Sequence, residues 1–419
     1  MNFENAMEYI NSFSHTGAKI TDLSRIKKLL NLLGNPQDKL KFVHIAGTNG
    51  KGSVLEYCSD AFIKAGYKTG QFTSPYILTY CDRIRINSIN IPENKVAEIC
   101  EIVKQSVDDS PYSQFEITFA IALLYFRSEK CDIIFLEAGI GGILDATNII
   151  KPPLASVITS ISLDHVQLLG DTVEKIAMQK AGIIKENSPV IASYDNKESV
   201  IKILSDTAEK THSNLIVPDK NQIQIINMNL SGTEFEYKGS NYRLKMCGKH
   251  QIINALTAIE TLNILKKYGF DIPQNCIYDA LAETSVGSRI EIFDGNPMII
   301  IDGGHNMAGV DSLIETLRFS GKNNFVGLVG MVNGKAHEYA VRRFSEIFRH
   351  VFCAEGFIEN NTPAKHLAEL FQQNGCTTEC YEYKTAYKKA VEYAKKHSEV
   401  LVVCGSLYLS SDIKSDFLS

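Results

Sequence analysis

The chain has 419 residues, of which 44% are hydrophobic and 22% are charged, and its 43 basic and 48 acidic side chains give a formal charge of −5. The negative charge argues against nonspecific nucleic-acid binding, which needs a basic surface, and the apolar content argues against intrinsic disorder. No apolar run approaches the roughly 20 residues needed to cross a bilayer, so we expect no membrane partner.

Along the first part of the chain, short apolar runs with strand character alternate with segments that have helical spacing. This alternation predicts an α/β protein with mostly parallel sheets. The predicted strands are 41–46, 132–138, 155–161 and 189–193, and the predicted helices are 51–65 and 251–269. Residues 219–245 interrupt the series, and their pattern predicts antiparallel β structure within the same unit.

A second alternating series begins near residue 292 and predicts a doubly wound unit of about 130 residues. Its predicted strands are 297–302, 324–330, 351–355, 377–383 and 399–405, and its predicted helices are 306–318, 337–350, 363–374 and 385–397. We therefore place a domain boundary near residue 290, which gives a first domain of residues 1–290 and a second of residues 291–419.

The strongest local motif is HIAGTNGKGSV at residues 44–54, where a predicted strand runs into a glycine-rich turn and then a helix. Glycines let backbone N–H groups point inward around phosphate oxygens, and the helix N-terminus adds positive potential. Lys51 is suited to neutralise phosphate charge, and the Ser53 hydroxyl is suited to bind Mg²⁺. The motif departs from the standard phosphate-loop pattern because Gly52 separates lysine from serine, and the alternative is a turn without a ligand. The candidate ATP-binding residues of this loop are Gly47, Thr48, Asn49, Gly50, Lys51, Gly52 and Ser53.

Acidic and imidazole side chains follow two later predicted strands. Glu137 lies at the end of an apolar run, where an unpaired carboxylate is costly to bury; a metal ion would supply the missing charge, and an Arg or Lys partner is the alternative. His165 follows the next run, at the sheet edge where ligands bind in such folds, although a lone histidine is more often structural. Lys180, taken alone, has the pattern of a solvated surface lysine.

The second half of the chain carries residues suited to a nucleotide. Asp302 is suited to hydrogen-bond ribose hydroxyls and His305 to stack on or bond to polar groups, with a helix-capping turn as the alternative for both. Arg289 is suited to reach a phosphate, although a single arginine is more often a surface residue. Asn254 and Gln251 open the predicted helix 251–269. Asn254 offers a donor and an acceptor to an adenine edge, although both amides fit a capping or surface role equally well.

Taken together, these motifs resemble those of the folylpolyglutamate synthase and dihydrofolate synthase family, within the Mur ligase superfamily. The resemblance covers nearly the whole chain, and its segments follow the family's order. The most specific are LEAGIGGILDATN at 136–148 and the stretch at 158–185, and the others lie at 44–54, 72–87, 115–126, 248–260, 288–291, 302–306 and 404–409.

The resemblance implies an α/β fold with a P-loop Mur-ligase-like ATPase domain and a smaller Rossmann-like C-terminal domain. It implies an ATP-dependent ligase that adds L-glutamate to a pteroyl carboxylate through an acyl phosphate. The acid would be dihydropteroate, a tetrahydrofolate or both. ATP would be the co-substrate, two Mg²⁺ sites are expected, and the family suggests a monomer.

The resemblance also implies roles for single residues in catalysis and metal binding. The matched catalytic residues are Lys51, Glu137, His165 and Lys180, and Lys180 corresponds to a lysine that the family carries as a carbamate. The matched magnesium ligands are Ser53, Glu137 and His165.

Further roles concern the nucleotide and the two other substrates. Besides the phosphate loop, the matched nucleotide contacts are Asn254, Arg289 and Asp302. Arg83 and Asp145 lie in segments that border the pterin pocket in the family, and His305 and Ser406 match residues that help to place glutamate.

Two segments depart from the family pattern in ways that bear on substrate preference. Tyr76 stands where the family usually has histidine, and Val286, Gly287 and Ser288 replace the usual W-P-G before Arg289. Two alternatives therefore stay open. One is a Mur-type ligase that joins an amino acid to a different acid, such as a UDP-muramyl precursor. The other is a P-loop switch that binds or slowly hydrolyses ATP without ligation.

The cysteines and the N-terminus bear on location. The ten cysteines are scattered and form no CxxC pair, which favours free thiols over zinc ligands or disulfides. The N-terminal residues include Glu4 and Glu8 and lack the basic and apolar regions of a signal peptide. We therefore expect a cytoplasmic protein.

Overall fold

The computed structural model describes residues 1–14, 21–108, 110–334 and 337–418. The chain divides into two compact units, and each is formed by two segments. The first unit contains Met1–Asn221 and Ile253–Leu281, and the second contains Gln222–Ile252 and Ala282–Ser419.

The first unit is built on a mixed β-sheet. Its strands are β1 (Phe42–Ala46), β2 (Thr69–Phe72), β3 (Ile84–Ile86), β4 (Ile89–Asn90), β5 (Ile133–Glu137), β6 (Ala155–Ile158), β7 (Val190–Ala192) and β8 (Leu215–Ile216). They lie in the order β4-β3-β2-β5-β1-β6-β7-β8. From β2 to β8 the neighbours are parallel, whereas β3 and β4 add antiparallel strands at one edge.

Helices connect these strands and continue the chain beyond them. They are α1 (Phe3–Asn11), α2 (Ser24–Leu32), α3 (Lys51–Lys64), α4 (Glu93–Ser106), α5 (Gln114–Ser128), α6 (Val166–Leu169), α7 (Val173–Ala181), α8 (Glu198–Lys210), α9 (Lys249–Lys267) and α10 (Gln274–Glu283). Short 3₁₀ helices span Pro36–Lys39, Tyr80–Arg83, Ala146–Ile149 and Lys220–Gln222. No helix in the described part of the chain has both the length and the apolar composition to cross a membrane.

Burial explains why the central strands have continuous apolar sequences. Every residue of β1, β5 and β6 is buried, as expected for parallel strands that are covered on both faces. One core cluster joins α1, α2, α4 and α5 to β2, β3 and β5, and another joins α7 and α8 to β6 and β7. Because the parallel strands all end at one edge, the loops after β1, β5 and β6 meet there.

The second unit contains two sheets. An antiparallel sheet is formed by β9 (Ile223–Asn229), β10 (Gly232–Tyr237) and β11 (Ser240–Leu244). The other is formed by β12 (Glu291–Phe293), β13 (Ile299–Ile301), β14 (Phe325–Val329), β15 (Phe348–Glu355), β16 (Thr377–Glu382) and β17 (Val400–Cys404). Its order is β12-β13-β17-β14-β15-β16, and all neighbours are parallel except the β12–β13 pair.

The helices of this second sheet alternate with its strands. They are α11 (Met307–Phe319), α12 (His337–Phe344), α13 (Ala364–Gln373), α14 (Tyr383–His397) and α15 (Leu407–Phe417). Core clusters form around β13, β14, β15 and β17. This alternation of strands and helices is the doubly wound pattern that the sequence predicts for the second series.

The predicted α/β fold class is confirmed, with two corrections of detail. The predicted helix 337–350 ends at Phe344, because Phe348–Glu355 forms β15 and pairs with β14 and β16. The antiparallel strands of 223–244 belong by contact to the second unit rather than the first, since Leu230 and Cys247 pack into that unit's core. The contact-defined units therefore divide the chain differently from the predicted boundary near residue 290, which stays a prediction for the domains.

Candidate active site

The glycine-rich turn after β1 takes the form predicted for a phosphate loop. The turn leads directly into α3, which begins at Lys51, and Gly50 adopts the left-handed conformation at the helix start with φ of 89°. A Cβ on Gly47 would lie 1.7 Å from Thr159 Oγ1, and one on Gly50 would lie 2.2 Å from Asn254 Oδ1. Glycine is therefore required at both positions, and Asn254 lies beside the loop, in the same unit.

The loop is held in place by the segment that follows β6. The N–H groups of Thr48 and Asn49 donate to the Ser160 carbonyl at 2.8 and 3.2 Å. The Thr48 hydroxyl bonds at 3.1 Å to both the carbonyl and the N–H of Ser162. No local sequence signal marks this support, because Ser160 and Ser162 make these bonds through backbone groups that any residue provides.

Lys51 and Glu137 meet at this edge of the sheet. The Lys51 Nζ lies 3.6 Å from Glu137 Oε1 and donates to the Thr48 carbonyl at 3.4 Å. Glu137 is 5% exposed, and its Oε2 accepts the Ser74 N–H at 3.3 Å. The lysine partner that the sequence left open for this carboxylate is thus present, and it belongs to the phosphate loop.

Lys180 is buried beneath the loop, so it is not the solvated surface lysine that its isolated pattern suggests. It is 5% exposed, and its Nζ donates to the Gly47 carbonyl at 2.6 Å. Burial, with help from the nearby Lys51 charge, lowers the pKa of Lys180 to about 7, while the Asp164 carboxylate opposes that shift. A large share of this amine is therefore neutral near pH 7.

His165 is exposed, unlike the residues around the phosphate loop. It stands at the N-terminus of α6 with φ of 49°, a left-handed conformation, and its N–H donates to the Asp164 carboxylate at 2.9 Å. Among the residues that the structure describes, no three His, Cys, Asp or Glu side chains are grouped closely enough to hold a metal ion. The magnesium ligand set of Ser53, Glu137 and His165 therefore stays a prediction.

Arg83 and Asp145, the two residues matched to the pterin pocket, differ in their surroundings. Arg83 ends a 3₁₀ helix, and its guanidinium lies 5.0 Å from the centre of the Tyr76 ring in a cation–π contact. Asp145 is buried, and its carboxylate accepts backbone N–H groups from Ile140 at 2.9 Å and Thr147 at 3.0 Å. Arg83 thus lies at the end of a 3₁₀ helix beside an exposed ring, whereas Asp145 organises its own loop.

The second unit brings Arg289 and Asp302 together. The Asp302 carboxylate accepts the N–H groups of Ile290 at 3.1 Å and Gly304 at 2.8 Å. Burial raises the pKa of Asp302, although the Arg289 charge opposes that shift. Burial, helped by Arg289, lowers the pKa of His250 to about 4, so an uncharged imidazole accompanies the arginine at neutral pH.

Ser406 and His305 lie on the loops after β17 and β13 in the same unit. Ser406 is buried and caps α15, where its hydroxyl accepts the Tyr408 N–H at 3.2 Å. The His305 Nδ1 lies 3.1 Å from the Gly303 carbonyl. The strand-end position of both residues is as the sequence predicts; their roles toward glutamate stay predictions.

Comparison with known proteins identifies the family. The Mur ligase middle domain matches residues 45–262, and the Mur ligase glutamate ligase domain matches residues 288–407. A dihydrofolate synthase/folylpolyglutamate synthase of Bacillus subtilis is 31% identical over 98% of both chains. The chain belongs to the folylpolyglutamate synthase and dihydrofolate synthase family.

Solved structures of the family extend the similarity to the fold of this ligase. A folylpolyglutamate synthase from Thermotoga maritima has a TM-score of 0.85 and 31% identity, covering 99% of this chain and 96% of its own. The apo form of the Lacticaseibacillus casei enzyme has a TM-score of 0.87 and 27% identity over the full length of both chains. A folylpolyglutamate synthase complex with AMPPCP and folate has a TM-score of 0.85 and 28% identity, with complete coverage.

The first unit of this ligase collects positive charge where an anionic nucleotide is expected. The Lys51 and Lys180 side chains donate to the carbonyls of Thr48 and Gly47, and the loop N–H groups and the α3 N-terminus add further positive potential. The Lys51 charge disfavours the charged form of Lys180. Phosphate groups bound at this loop would be stabilised by the positive potential, which is the electrostatic arrangement that an ATP-dependent ligase needs.

Proposed function

We propose that this protein is an ATP-dependent ligase that joins L-glutamate to the carboxylate of a folate-type acid. The family membership supports this proposal, as do the names of its relatives. The observation that carries it in this chain is the meeting of Lys51, Glu137 and Lys180 at the glycine-rich loop. ATP is the co-substrate, and dihydropteroate and reduced folates are the acids that we propose.

The first step activates the acid. A carboxylate oxygen of the folate-type substrate attacks the γ-phosphorus of ATP, and the bond between that phosphorus and the bridging oxygen of ADP breaks. Catalysis of such a transfer is mostly positioning and charge neutralisation. Lys51 lies on the loop that binds the phosphates and is the residue that we propose to neutralise the charge that develops there.

The second step forms the amide. The neutral amine of glutamate attacks the acyl carbon, the bond from that carbon to the phosphate oxygen breaks, and the nitrogen loses a proton. We propose that His305 and Ser406 help to place glutamate. Water must be kept from the acyl phosphate during this step, because hydrolysis would waste the activated acid.

The oxygen ligands of the first unit fit magnesium. Glu137 supplies a buried carboxylate, and Ser53 supplies a buried hydroxyl at the start of α3, and hard oxygen donors of this kind suit Mg²⁺. We propose that Ser53, Glu137 and His165 hold the cation, with a second cation nearby. When bound, magnesium supplies positive charge that offsets the charge of the phosphates.

Lys180 has the properties of a lysine that forms a carbamate. Its amine is buried and its pKa is lowered to about 7, so neutral amine is available to attack CO₂ and then lose a proton. We propose that Lys180 is carbamylated in the active enzyme. The modification converts a cation beside Lys51 into an anion, which removes a repulsion and provides oxygen ligands.

The second unit supports nucleotide binding in this proposal. Each Asp302 oxygen accepts one N–H group, which leaves acceptor capacity for two ribose hydroxyls. We propose that Asp302 and Asn254 bind the nucleoside and that Arg289 binds phosphate.

We propose that the enzyme is a monomer, as the resemblance to the family suggests. We propose a cytoplasmic location, for which the scattered cysteines without a CxxC pair are suited.

Phosphate release and product mass test the proposal. With ATP and Mg²⁺, we expect phosphate release that requires both L-glutamate and either dihydropteroate or a tetrahydrofolate, and a product one glutamyl residue heavier. An acid with ¹⁸O in its carboxylate should transfer label to inorganic phosphate. ATP consumption without any dependence on acid and amino acid would instead support a nucleotide switch, and the same assay with other acids tests a different Mur-type ligase.

A further inference from the structure

The carboxylate of Asp145 is fully engaged by its own loop. Its Oδ2 accepts the Ile140 N–H at 2.9 Å, and its Oδ1 accepts the Thr147 N–H at 3.0 Å and the Thr147 hydroxyl. Both carboxylate oxygens are thus occupied by donors of the segment 140–147, so Asp145 shapes this loop.

The loop that Asp145 shapes, Gly139–Ile143, lies between two residues of the proposed reaction site. It directly follows β5, which ends at Glu137. Its other end packs on α7, where the Ile143 N–H donates to the Gln179 carbonyl at 2.9 Å and a Cβ on Gly142 would lie 2.9 Å from the Lys180 carbonyl. The conformation of this loop therefore affects the space next to Glu137 and Lys180.

Apolar side chains of the loop are exposed. Ile140 and Ile143 are each 42% exposed, although both follow a fully buried strand. Isoleucine in a tight loop beside charged residues is suited to contact the apolar body of an acid whose carboxylate reaches the phosphates. The loop thus offers a contact surface for the acid substrate rather than for the nucleotide.

A hydrogen-bonded chain links Asp145 to β1. The Thr147 hydroxyl donates to Asp145 Oδ1 and lies 2.9 Å from the His44 Nε2. His44 is buried, and burial with the Lys185 charge lowers its pKa to about 3, so the ring is neutral. We assign the ring proton to Nε2, because the Thr147 hydroxyl proton is used toward Asp145 and its oxygen can accept.

We propose that His44 and Thr147 are positioning residues for the folate-type acid: they orient the Asp145 carboxylate, which fixes the Gly139–Ile143 loop beside Glu137. This inference rests on the proposed function. Neither residue touches a reacting atom. The chain of contacts runs from β1 through Thr147 to Asp145, and from there to the loop backbone.

The effect should fall on the acid and leave the nucleotide unaffected. His44 is three residues before Gly47, but the phosphate loop is held by other groups, namely Ser160, Ser162 and Lys180. None of these bonds involves Thr147 or Asp145. Loss of the Thr147 hydroxyl should therefore change the conformation of the Gly139–Ile143 loop and leave the phosphate loop unchanged.

Thr147→Val and Thr147→Ser form a matched pair for the test. Valine keeps the shape and removes the hydroxyl, whereas serine keeps the hydroxyl. We expect Thr147→Val to raise the KM for the acid by about tenfold or more, as expected for one lost bond to a charged group. The KM for ATP should change less than about twofold, and Thr147→Ser should restore the KM for the acid.

His44→Gln and His44→Leu form a second pair that does not alter Thr147. Glutamine can replace the Nε2 donor, and the His44 Nδ1 has no hydrogen-bond partner among the described residues, so little else is lost. Leucine removes the donor. We expect a raised KM for the acid in His44→Leu alone, and this pair decides the question if Thr147→Val does not fold.

Amide hydrogen exchange gives a readout that does not depend on turnover. The Ile140 N–H should exchange faster in Thr147→Val than in the wild type or Thr147→Ser, since it donates to Asp145. Unchanged exchange together with an unchanged KM for the acid overturns the proposal. The proposal is also overturned if Thr147→Val raises the KM for the acid and the KM for ATP equally, or if Thr147→Ser raises the KM for the acid as much as Thr147→Val does. If the wild type shows no phosphate release that depends on acid and glutamate, the proposed function is contradicted instead. The exchange experiment then still shows whether Thr147 fixes the Gly139–Ile143 loop through Asp145.

Discussion

The two units each place a buried carboxylate at the end of a strand, and the surroundings of these carboxylates differ. Glu137 ends β5 and faces the Lys51 ammonium at 3.6 Å and the Ser74 N–H at 3.3 Å. Asp302 directly follows β13 and accepts two backbone N–H groups, from Ile290 and Gly304. The first carboxylate is paired with a side chain of the phosphate loop, and the second is held by backbone near its own strand.

We infer that the first carboxylate serves the proposed phosphoryl transfer and that the second serves the proposed recognition of the nucleotide. In the first unit the Lys51 charge disfavours the charged form of Lys180, so a bound anion would stabilise both lysines. In the second unit Asp302 is stabilised by fixed backbone donors, so its geometry does not depend on a bound ligand. Substitutions in the first unit should therefore affect chemistry most, and those in the second should affect nucleotide binding.

The largest expected effect is that of Lys51→Ala. Removing the ammonium from the phosphate loop should lower kcat by about a thousandfold, because preorganised charge on a transferring phosphoryl group supplies that order of rate. The assay is acid- and glutamate-dependent phosphate release. Lys64→Ala, at the exposed end of the same helix, is the matched control and should keep the wild-type rate. A normal rate for Lys51→Ala would show that the loop lysine is not catalytic.

Glu137→Gln should have the next largest effect. Glutamine keeps the shape but removes the negative charge that we propose to bind the cation, so we expect kcat to fall by about a hundredfold and the magnesium requirement to rise. The initial rate is measured against Mg²⁺ concentration. Glu129→Gln changes a partly exposed glutamate that caps the end of α5 and pairs with Lys68, away from the phosphate loop, and it should leave the titration unaltered. If Glu137→Gln also leaves it unaltered, Glu137 is not a ligand.

Sequence reasoning located the phosphate loop well because its chemistry is local. Gly47, Gly50 and Lys51 are contiguous, and the backbone conformation that they require is encoded in the residues themselves. The positions of Glu137 and Asp302 could also be predicted, because each is the first polar residue after an apolar strand.

Other features depend on contacts between distant segments, and the sequence does not specify those contacts. Nothing near Lys180 in the sequence indicates that it is buried against the Gly47 carbonyl. The role of Ser160 appears only once β6 lies beside β1. The contacts of the antiparallel strands 223–244 with the second unit are likewise not specified by those residues, because their partners lie in later parts of the chain.

Asp302→Asn should have a smaller effect, on binding rather than chemistry. The amide keeps one acceptor and loses the charge, so we expect the KM for ATP to rise by about tenfold while kcat stays within about threefold. Asp311→Asn alters a partly exposed acid on α11 that pairs with Arg343, and it serves as the control. A lowered melting temperature without a change in the KM for ATP would indicate that Asp302 has only a structural function.

The smallest expected effect concerns one histidine in each unit, His44 and His250, and the pH dependence of stability. The pKa is lowered to about 3 for His44 in the first unit and to about 4 for His250 in the second. Both are below the unfolded value near 6.5, so the unfolded chain binds more protons between these values. Each histidine thus contributes stability that is fully present above about pH 6.5 and is lost as the pH falls toward the folded pKa.

The slope of the unfolding free energy against pH should distinguish the two histidines. His44 is completely buried, so its contribution should approach about 1.4 kcal/mol per pH unit below pH 6. His250 is partly exposed, so solvent should make its contribution smaller. Urea unfolding at several pH values between about 7 and 5 measures both. We expect His44→Gln to flatten the dependence of the unfolding free energy on pH more than His250→Gln does. The reverse order would mean that His250 is the more strongly desolvated of the two, and the electrostatic cost of protonating the ring would then be greater in the second unit.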